Sequence, residues 1–252
     1  MRVWAISDLH LSFAAPKPMD VFGDRWRDHP RRIAEHWRAR IAPDDLVLLP
    51  GDTSWGLRWP AALPDLEWID ALPGHKVLTK GNHDYWWDDI RKLRRRDEAA
   101  FPASLTLIEA EAVECHGWVL CGTRAWVTPG QQLFKPETDE RIYQRELGRL
   151  ERALQHAARL ARGDKSIGVL LHYPPFLPDG TPTAFAEMIG AAGARFCVYG
   201  HLHRRIDWEH AQQGEHNGVR YHLTSCDFLG FVPTLIVDEH GMVQERSTIG
   251  YL

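Results

Sequence analysis

The apolar positions of this chain fall into short unbroken runs that stop at polar residues. Arg2-Val3-Trp4-Ala5-Ile6 alternates and ends at Ser7-Asp8, and Leu46-Val47-Leu48-Leu49 runs into Pro50-Gly51-Asp52. Val77-Leu78-Thr79 gives way to Lys80-Gly81-Asn82-His83-Asp84-Tyr85-Trp86-Trp87, Ile167 to Leu171 stop at His172-Tyr173, and Phe196 to Tyr199 at Gly200-His201-Leu202-His203. Continuous apolar runs of this length suit strands buried on both faces of a sheet. Further strand patterns cover 105–108, 113–115 and 118–121, with His116-Gly117 as a hairpin turn between the last two. The tail is strand-rich, at 219–224, 234–237 and 242–249.

Between the runs the period changes. Ile33, Trp37 and Ile41 recur at helical spacing behind Pro30, with Asp28 as the expected cap. Leu66, Ile69 and Leu72 mark a second helix, closed by Pro73-Gly74. Asp88-Asp89 are expected to cap a helix holding Ile90 and Leu93. A long stripe (Tyr143, Leu147, Leu150, Leu154, Ala157, Ala161) predicts a helix over 139–162 that stops at Gly163, and Phe185, Met188 and Ile189 predict one more. Strands alternating with helices predict an α/β fold. No internal repeat, low-complexity tract or linker divides residues 1–252, so a single domain is expected.

Composition narrows the function classes. The chain has 252 residues, 44% apolar and 25% charged, with a net charge of −4. That is an ordinary globular composition and argues against an extended nucleic-acid surface, which normally shows as a basic domain. The run Arg91-Lys92-Leu93-Arg94-Arg95-Arg96, followed by Asp97-Glu98, reads as a solvated helix face. No apolar run is long enough to span a bilayer. Met1-Arg2-Val3-Trp4 leads straight into a strand without the pattern of a signal peptide, so a cytoplasmic location is expected. Cys115, Cys121, Cys197 and Cys226 form no CxxC pair and read as buried thiols.

The chemistry lies at the strand ends. In open α/β sheets, ligands bind beyond the carboxyl ends of the strands. If these strands are neighbours and parallel, their termini bring together Asp8, His10, Asp52, Asn82, His172, His201 and His203. All are oxygen or nitrogen donors and none is a thiolate, which favours Mn, Fe, Zn or Co over a sulfur-bound structural zinc. Seven donors exceed the needs of one tetrahedral ion. They suit two ions about 3.5–4 Å apart sharing a carboxylate, for which Asp52 is the choice.

Taken in order, Asp8-Leu9-His10, Gly51-Asp52, Gly81-Asn82-His83-Asp84, His172 and Gly200-His201-Leu202-His203 resemble the motifs of the calcineurin-like metallophosphoesterase superfamily. The resemblance implies a four-layer α/β/β/α sandwich, two mixed β-sheets flanked by helices. It implies one divalent ion (Mn2+, Fe2+/3+ or Zn2+) on Asp8, His10, Asp52 and His203, and a second on Asp52, Asn82, His172 and His201. The expected activity is hydrolysis of a small phosphomonoester or phosphodiester, such as a small nucleotide, by a metal-bridged hydroxide. His83 is then the general acid for the leaving group. Many members place a polar partner for that histidine where this chain has Trp55, so the partner is expected to be Asp84 or a residue from elsewhere in the chain. Tyr85, Trp86, Arg124 and Tyr173 are the candidate substrate contacts, against a slightly favoured reading in which Tyr85, Trp86 and Trp87 pack under the loop and fix its shape, and an equal one in which Arg124 is a solvated or ion-paired surface arginine; 12–29 and 124–140 are the expected substrate-facing insertions. A nuclease and a non-catalytic metal-binding scaffold are the competing readings. The acidic net charge weighs against the first, and the complete ligand set against the second.

Overall fold

The computed structural model describes residues 1–14, 16–87 and 101–247, and within them eleven strands form two mixed sheets. The first holds β1 (Val3–Ala5), β2 (Leu46–Pro50), β3 (His75–Thr79) and β4 (Leu105–Ile108) as parallel neighbours, with β11 (Thr234–Val237) antiparallel on the outer edge of β1. The second has β5 (Glu111–Cys115), β6 (Trp118–Thr123), β7 (Ser166–Leu171), β8 (Phe196–Tyr199), β9 (Gly214–His216) and β10 (Val219–Leu223) in the order 5-6-7-8-10-9. Strands β6, β7, β8 and β10 run parallel, and β5 and β9 close the edges antiparallel.

The apolar runs are continuous because each strand is buried twice. Val3, Ala5, Leu46, Leu48 and Val77 share one core with Trp118, Leu120, Leu170, Phe196 and Val198, which fills the space between the sheets. The alternate residues Trp4, Ile6, Val47, Leu49 and Leu78 join the larger core that includes the helices. These helices are α1 (His29–Arg40), α2 (Trp59–Asp70), α3 (Pro136–Ala161), α4 (Ala184–Ala191) and the short α5 (Arg205–Glu209). Ile33 and Trp37 of α1, Leu66 and Ile69 of α2, Leu150 and Leu154 of α3, and Phe185 of α4 are buried there. The result is the four-layer arrangement of two mixed sheets with helices outside.

Several boundaries differ from the sequence expectation. Asp28 makes no side-chain cap on α1; it sits at φ 52° and its carbonyl accepts from Arg32 N–H. Helix α3 begins at Pro136, where Asp139 takes the Lys135 N–H at 2.8 Å. The strand expected over 242–249 is reduced, among the described residues, to a bridge between Val237 and Val243. Strand β9 and helix α5 are too short to show a period in sequence. The helix expected after Asp88-Asp89 and the basic run 91–96 lie outside the described residues. Among the described residues no helix is long and apolar enough to cross a membrane.

Candidate metal centre

Five parallel strands deliver their carboxyl ends to one edge, and the polar segments that follow them stay tied together. Asp8 N–H donates to Gly51 O and His10 N–H to Asp52 O, both at 3.0 Å, and Gly200 N–H to His172 O at 3.1 Å. The backbone is strained there: Asp8, His10, Asp52 and His201 have φ of 58°, 48°, 51° and 72°. For residues other than glycine such conformations cost on the order of 1 kcal/mol each and persist where function requires them. Two glycines are set by crowding. A Cβ on Gly81 would lie 2.1 Å from Asp52 Oδ1, and one on Gly200 would lie 2.2 Å from Asp8 Oδ2. The glycines of the GNHD and GHLH segments thus let their backbones approach the two carboxylates.

All seven expected ligand residues converge. Donor atoms of Asp8, His10 and His203 lie within 4.8 Å of one another, as do those of Asp8, Asp52 and His172. Asn82 Oδ1 sits 2.7 Å from His172 Nε2 and 2.9 Å from His201 Nδ1. Asp52 Oδ2 is 3.4 Å from His172 Nε2 and 3.8 Å from His10 Nε2. Both carboxylates are buried and take backbone hydrogen bonds, Asp8 from His201 N–H and Asp52 from His83 N–H.

This arrangement fits cations. His172 Nδ1 faces Pro50 O at 3.1 Å, so it carries the ring proton, and Nε2 presents a lone pair to the Asn82 oxygen. Two acceptors in contact are repulsive unless a cation lies between them. His203 differs: Nδ1 donates to Asp227 Oδ1 at 2.9 Å, Nε2 lies 3.4 Å from Asp8 Oδ1 and 3.5 Å from His10 Nε2, and although burial opposes it the bonds to Asp227 and Asp8 raise its pKa, so a bound cation would take the place of the proton on Nε2. Burial lowers the pKa of His10 and His201 and pushes His172 down to about 4, so these rings are neutral donors at neutral pH. Burial, reinforced by the Asp8 and Asp84 charges, raises Asp52. Burial would raise Asp8 too, but its hydrogen bond with His203 and the charges of His203, His172 and His10 hold it below the carboxylate range.

The calcineurin-like phosphoesterase family model matches residues 1–205, the span that holds all seven expected ligand residues. The chain belongs to the calcineurin-like phosphoesterase family. It is 41% identical over 87 residues to the Gene 66 protein of Mycobacterium phage D29 and 33% identical over 83 residues to that of Mycobacterium phage L5. Each match covers 33% of this chain and 40% of the phage protein, so the chain spans well under half the length of these curated relatives. Among solved structures it is similar to a Thermus thermophilus protein (TM-score 0.53, 10% identity, covering 87% of this chain and 88% of that one). It is also similar to the phosphopantetheinyl hydrolase of Mycobacterium tuberculosis (TM-score 0.50, 16% identity, covering 87% of each). Both show the shared fold.

Around this calcineurin-like core the structure revises two expectations. Asp84 does not face the His83 ring. Its buried carboxylate accepts from Thr53 N–H, Ser54 N–H and Trp86 Nε1–H through Oδ1 and from Gly81 N–H through Oδ2, so it fixes the loop. Trp86 is not a substrate platform: it is buried, bonded to Asp84 and packed against Trp59 and Trp87. Large rings next to a ligand loop gain more by filling the core than by facing water.

The other expected contacts vary. Tyr85 is exposed, edge-on to His83 at 6.3 Å. Tyr173 is buried and packs on the His201 ring at 4.1 Å. Arg124 is engaged, 3.8 Å from the buried Glu146 and stacked on Trp126, and its carbonyl accepts from His172 and Tyr173 N–H. Trp55, standing where a polar partner for His83 was expected, stacks on His10 at 4.8 Å and lies 4.4 Å from His83. It orients both rings by shape.

The functional residue not anticipated from sequence is Asp227. It follows β10, another strand ending beside β8, in Ser225-Cys226-Asp227; an Asp after an apolar strand was the available signal. Its Oδ1 fixes the His203 tautomer, and Arg25 bonds both Asp227 Oδ2 (3.2 Å) and the His203 carbonyl (3.0 Å). Carboxylates behind a ligating histidine typically govern metal affinity by about 10–100-fold. Asp227→Ala is therefore expected to weaken metal retention by about that factor, measured by chelator competition; unchanged retention would remove Asp227 from this role.

Proposed function

We propose that the chain hydrolyses a small phosphomonoester or phosphodiester, such as a small nucleotide, with two divalent ions drawn from Mn2+, Fe2+/3+ and Zn2+. The observation that carries this reading is the pair of donor groups, Asp8-His10-His203 and Asp8-Asp52-His172, buried but for the half-buried His203, with Asn82 completing the second. Asp8, His10, Asp52 and His203 would hold one ion, and Asp52, Asn82, His172 and His201 the other. When bound, such ions acidify water to hydroxide near neutral pH and offset charge on the phosphoryl oxygens.

The remaining work falls to His83. Its backbone N–H donates to Asp52 Oδ1 at 2.8 Å, which locks the residue to the carboxylate that would serve both ions. Nδ1 is buried without a partner, so the proton for the leaving oxygen is presented at Nε2. Burial first, then the Lys17 charge, push the free ring down to about 4. A bound phosphate acts in the opposite direction, favouring the protonated ring when substrate is present. Asp84 anchors the loop that presents His83, and Trp55 restrains its ring.

The test is turnover of 4-nitrophenyl phosphate and bis(4-nitrophenyl) phosphate by the Mn2+-loaded chain. Hydrolysis abolished by chelation and restored by Mn2+ is expected. Metal retained without turnover of any ester would favour the non-catalytic scaffold, and cleavage restricted to DNA or RNA would favour the nuclease.

A further inference from the structure

Beside the metal centre the two 3-10 turns Asp20–Phe22 and Asp24–Trp26 wall off a cavity of about 330 Å³. Met19, Trp26 and Trp55 line it, Phe22 stands at its rim, and it opens onto His83 and His203. Its walls are built: Met19 and Trp26 are almost wholly buried, and Trp55 Nε1–H donates to Met19 Sδ at 3.2 Å. Phe22 is 57% exposed, a large apolar ring held at the mouth of a polar site with nothing to cover it. The two arginines on the rim are already engaged, Arg25 with Asp227 and Arg204 with both oxygens of Asp207 at 2.8 Å. Lys17 is engaged as well, its Nζ over the Trp55 ring at 3.2 Å, so away from the histidines the cavity offers its occupant mainly shape and dispersion.

Its position assigns the occupant. His83 lines this cavity together with His10 and His203, so a group bonded to the oxygen that His83 protonates would extend into it. We propose that the cavity holds the leaving-group half of the substrate and selects a flat apolar group, an aryl ring or a nucleobase, over a small polyol. This rests on the phosphoesterase reading above. The volume is about twice that of an apolar cavity able to hold one benzene ring, so a bicyclic group fits.

Binding of non-hydrolysable analogues separates the inference from the reading beneath it. Calorimetry on the Mn2+-loaded chain would compare methylphosphonate, (1-naphthylmethyl)phosphonate and a nucleoside 5′-phosphonate. At least one ring-bearing analogue is expected to bind about tenfold or more tightly than methylphosphonate, the gain expected from burying one ring face. Which analogue gains tells an aryl ester from a nucleotide. In Phe22→Ala, and independently in Met19→Leu, that preference should shrink several-fold. Equal affinity for all three would overturn the inference even if aryl phosphates are hydrolysed. Turnover of no phosphoester would instead overturn the underlying reading, whatever the analogues do.

Discussion

Asp52→Asn is expected to lower turnover by on the order of 10³ or more and to reduce the metal content to at most one ion per chain. The amide matches the carboxylate in size and can still accept the His83 N–H through its oxygen, a bond of 2.8 Å in the wild type. It then turns an NH2 group toward the donors that the carboxylate shared, where a cation cannot be held. The fold itself should not suffer. In the metal-free chain, burial and the charges of Asp8 and Asp84 raise the Asp52 pKa. A carboxyl raised in this way costs stability once the pH exceeds its unfolded value, so removing the charge relieves repulsion at neutral pH. The metal-free variant should melt at the wild-type temperature or above it. Wild-type turnover in a variant that has lost a metal would refute the shared-ligand role, and a lower apo melting temperature would point to misfolding instead.

His83→Asn is expected to separate chemistry from metal binding. General acid catalysis typically contributes about 10²–10⁴-fold, so kcat for an alkyl phosphate should fall by that factor while both ions are retained. The loss should be smaller for 4-nitrophenyl phosphate, because a good leaving group needs little protonation. That contrast distinguishes a proton donor from a residue that only shapes the pocket, which would slow both esters alike. Retention of both ions is expected because the ring makes no hydrogen bond to a ligand; His83 contacts Asp52 only through its backbone, which the variant keeps. An unchanged rate on both esters would remove His83 from the reaction.

The ligand positions were legible because they obey two local rules at once. Each follows an apolar run too short for a helix, and each belongs to the N/O donor class; their meeting then follows from parallel strands of two packed sheets, β1, β2 and β3 in one and β7 and β8 in the other, ending at the same edge. The same rule missed Asp227, because it stands four residues past the end of β10, behind Thr224-Ser225-Cys226, and reads as part of an ordinary turn. Asp84 was misassigned because sequence adjacency to His83 says nothing about direction: four hydrogen bonds from Thr53, Ser54, Gly81 and Trp86 turn its carboxylate into the loop. The pocket wall was visible only as an insertion at 12–29. Its two 3-10 turns are three residues each, below any periodic signal, and the contacts that shape them come from Trp55 and Asp227, far along the chain.

The layers were legible for a related reason. Strands buried on both faces lose the polar alternation of a half-exposed sheet, and β2, β7 and β8 show that loss in sequence. What the runs could not show is which sheet each strand joins. That is set by pairings such as Val3 with Val237 and Arg220 with Phe196, whose partners are remote in sequence or lie across an intervening strand.

The decisive measurement is the number of ions per chain, by native mass spectrometry with elemental analysis after loose metal has been removed from a Mn2+- or Zn2+-saturated sample. Two tightly held ions are expected, falling to one or none in Asp52→Asn. A wild-type chain that never retains more than one would contradict the paired centre, and with it the roles given to Asp52, Asn82 and His83.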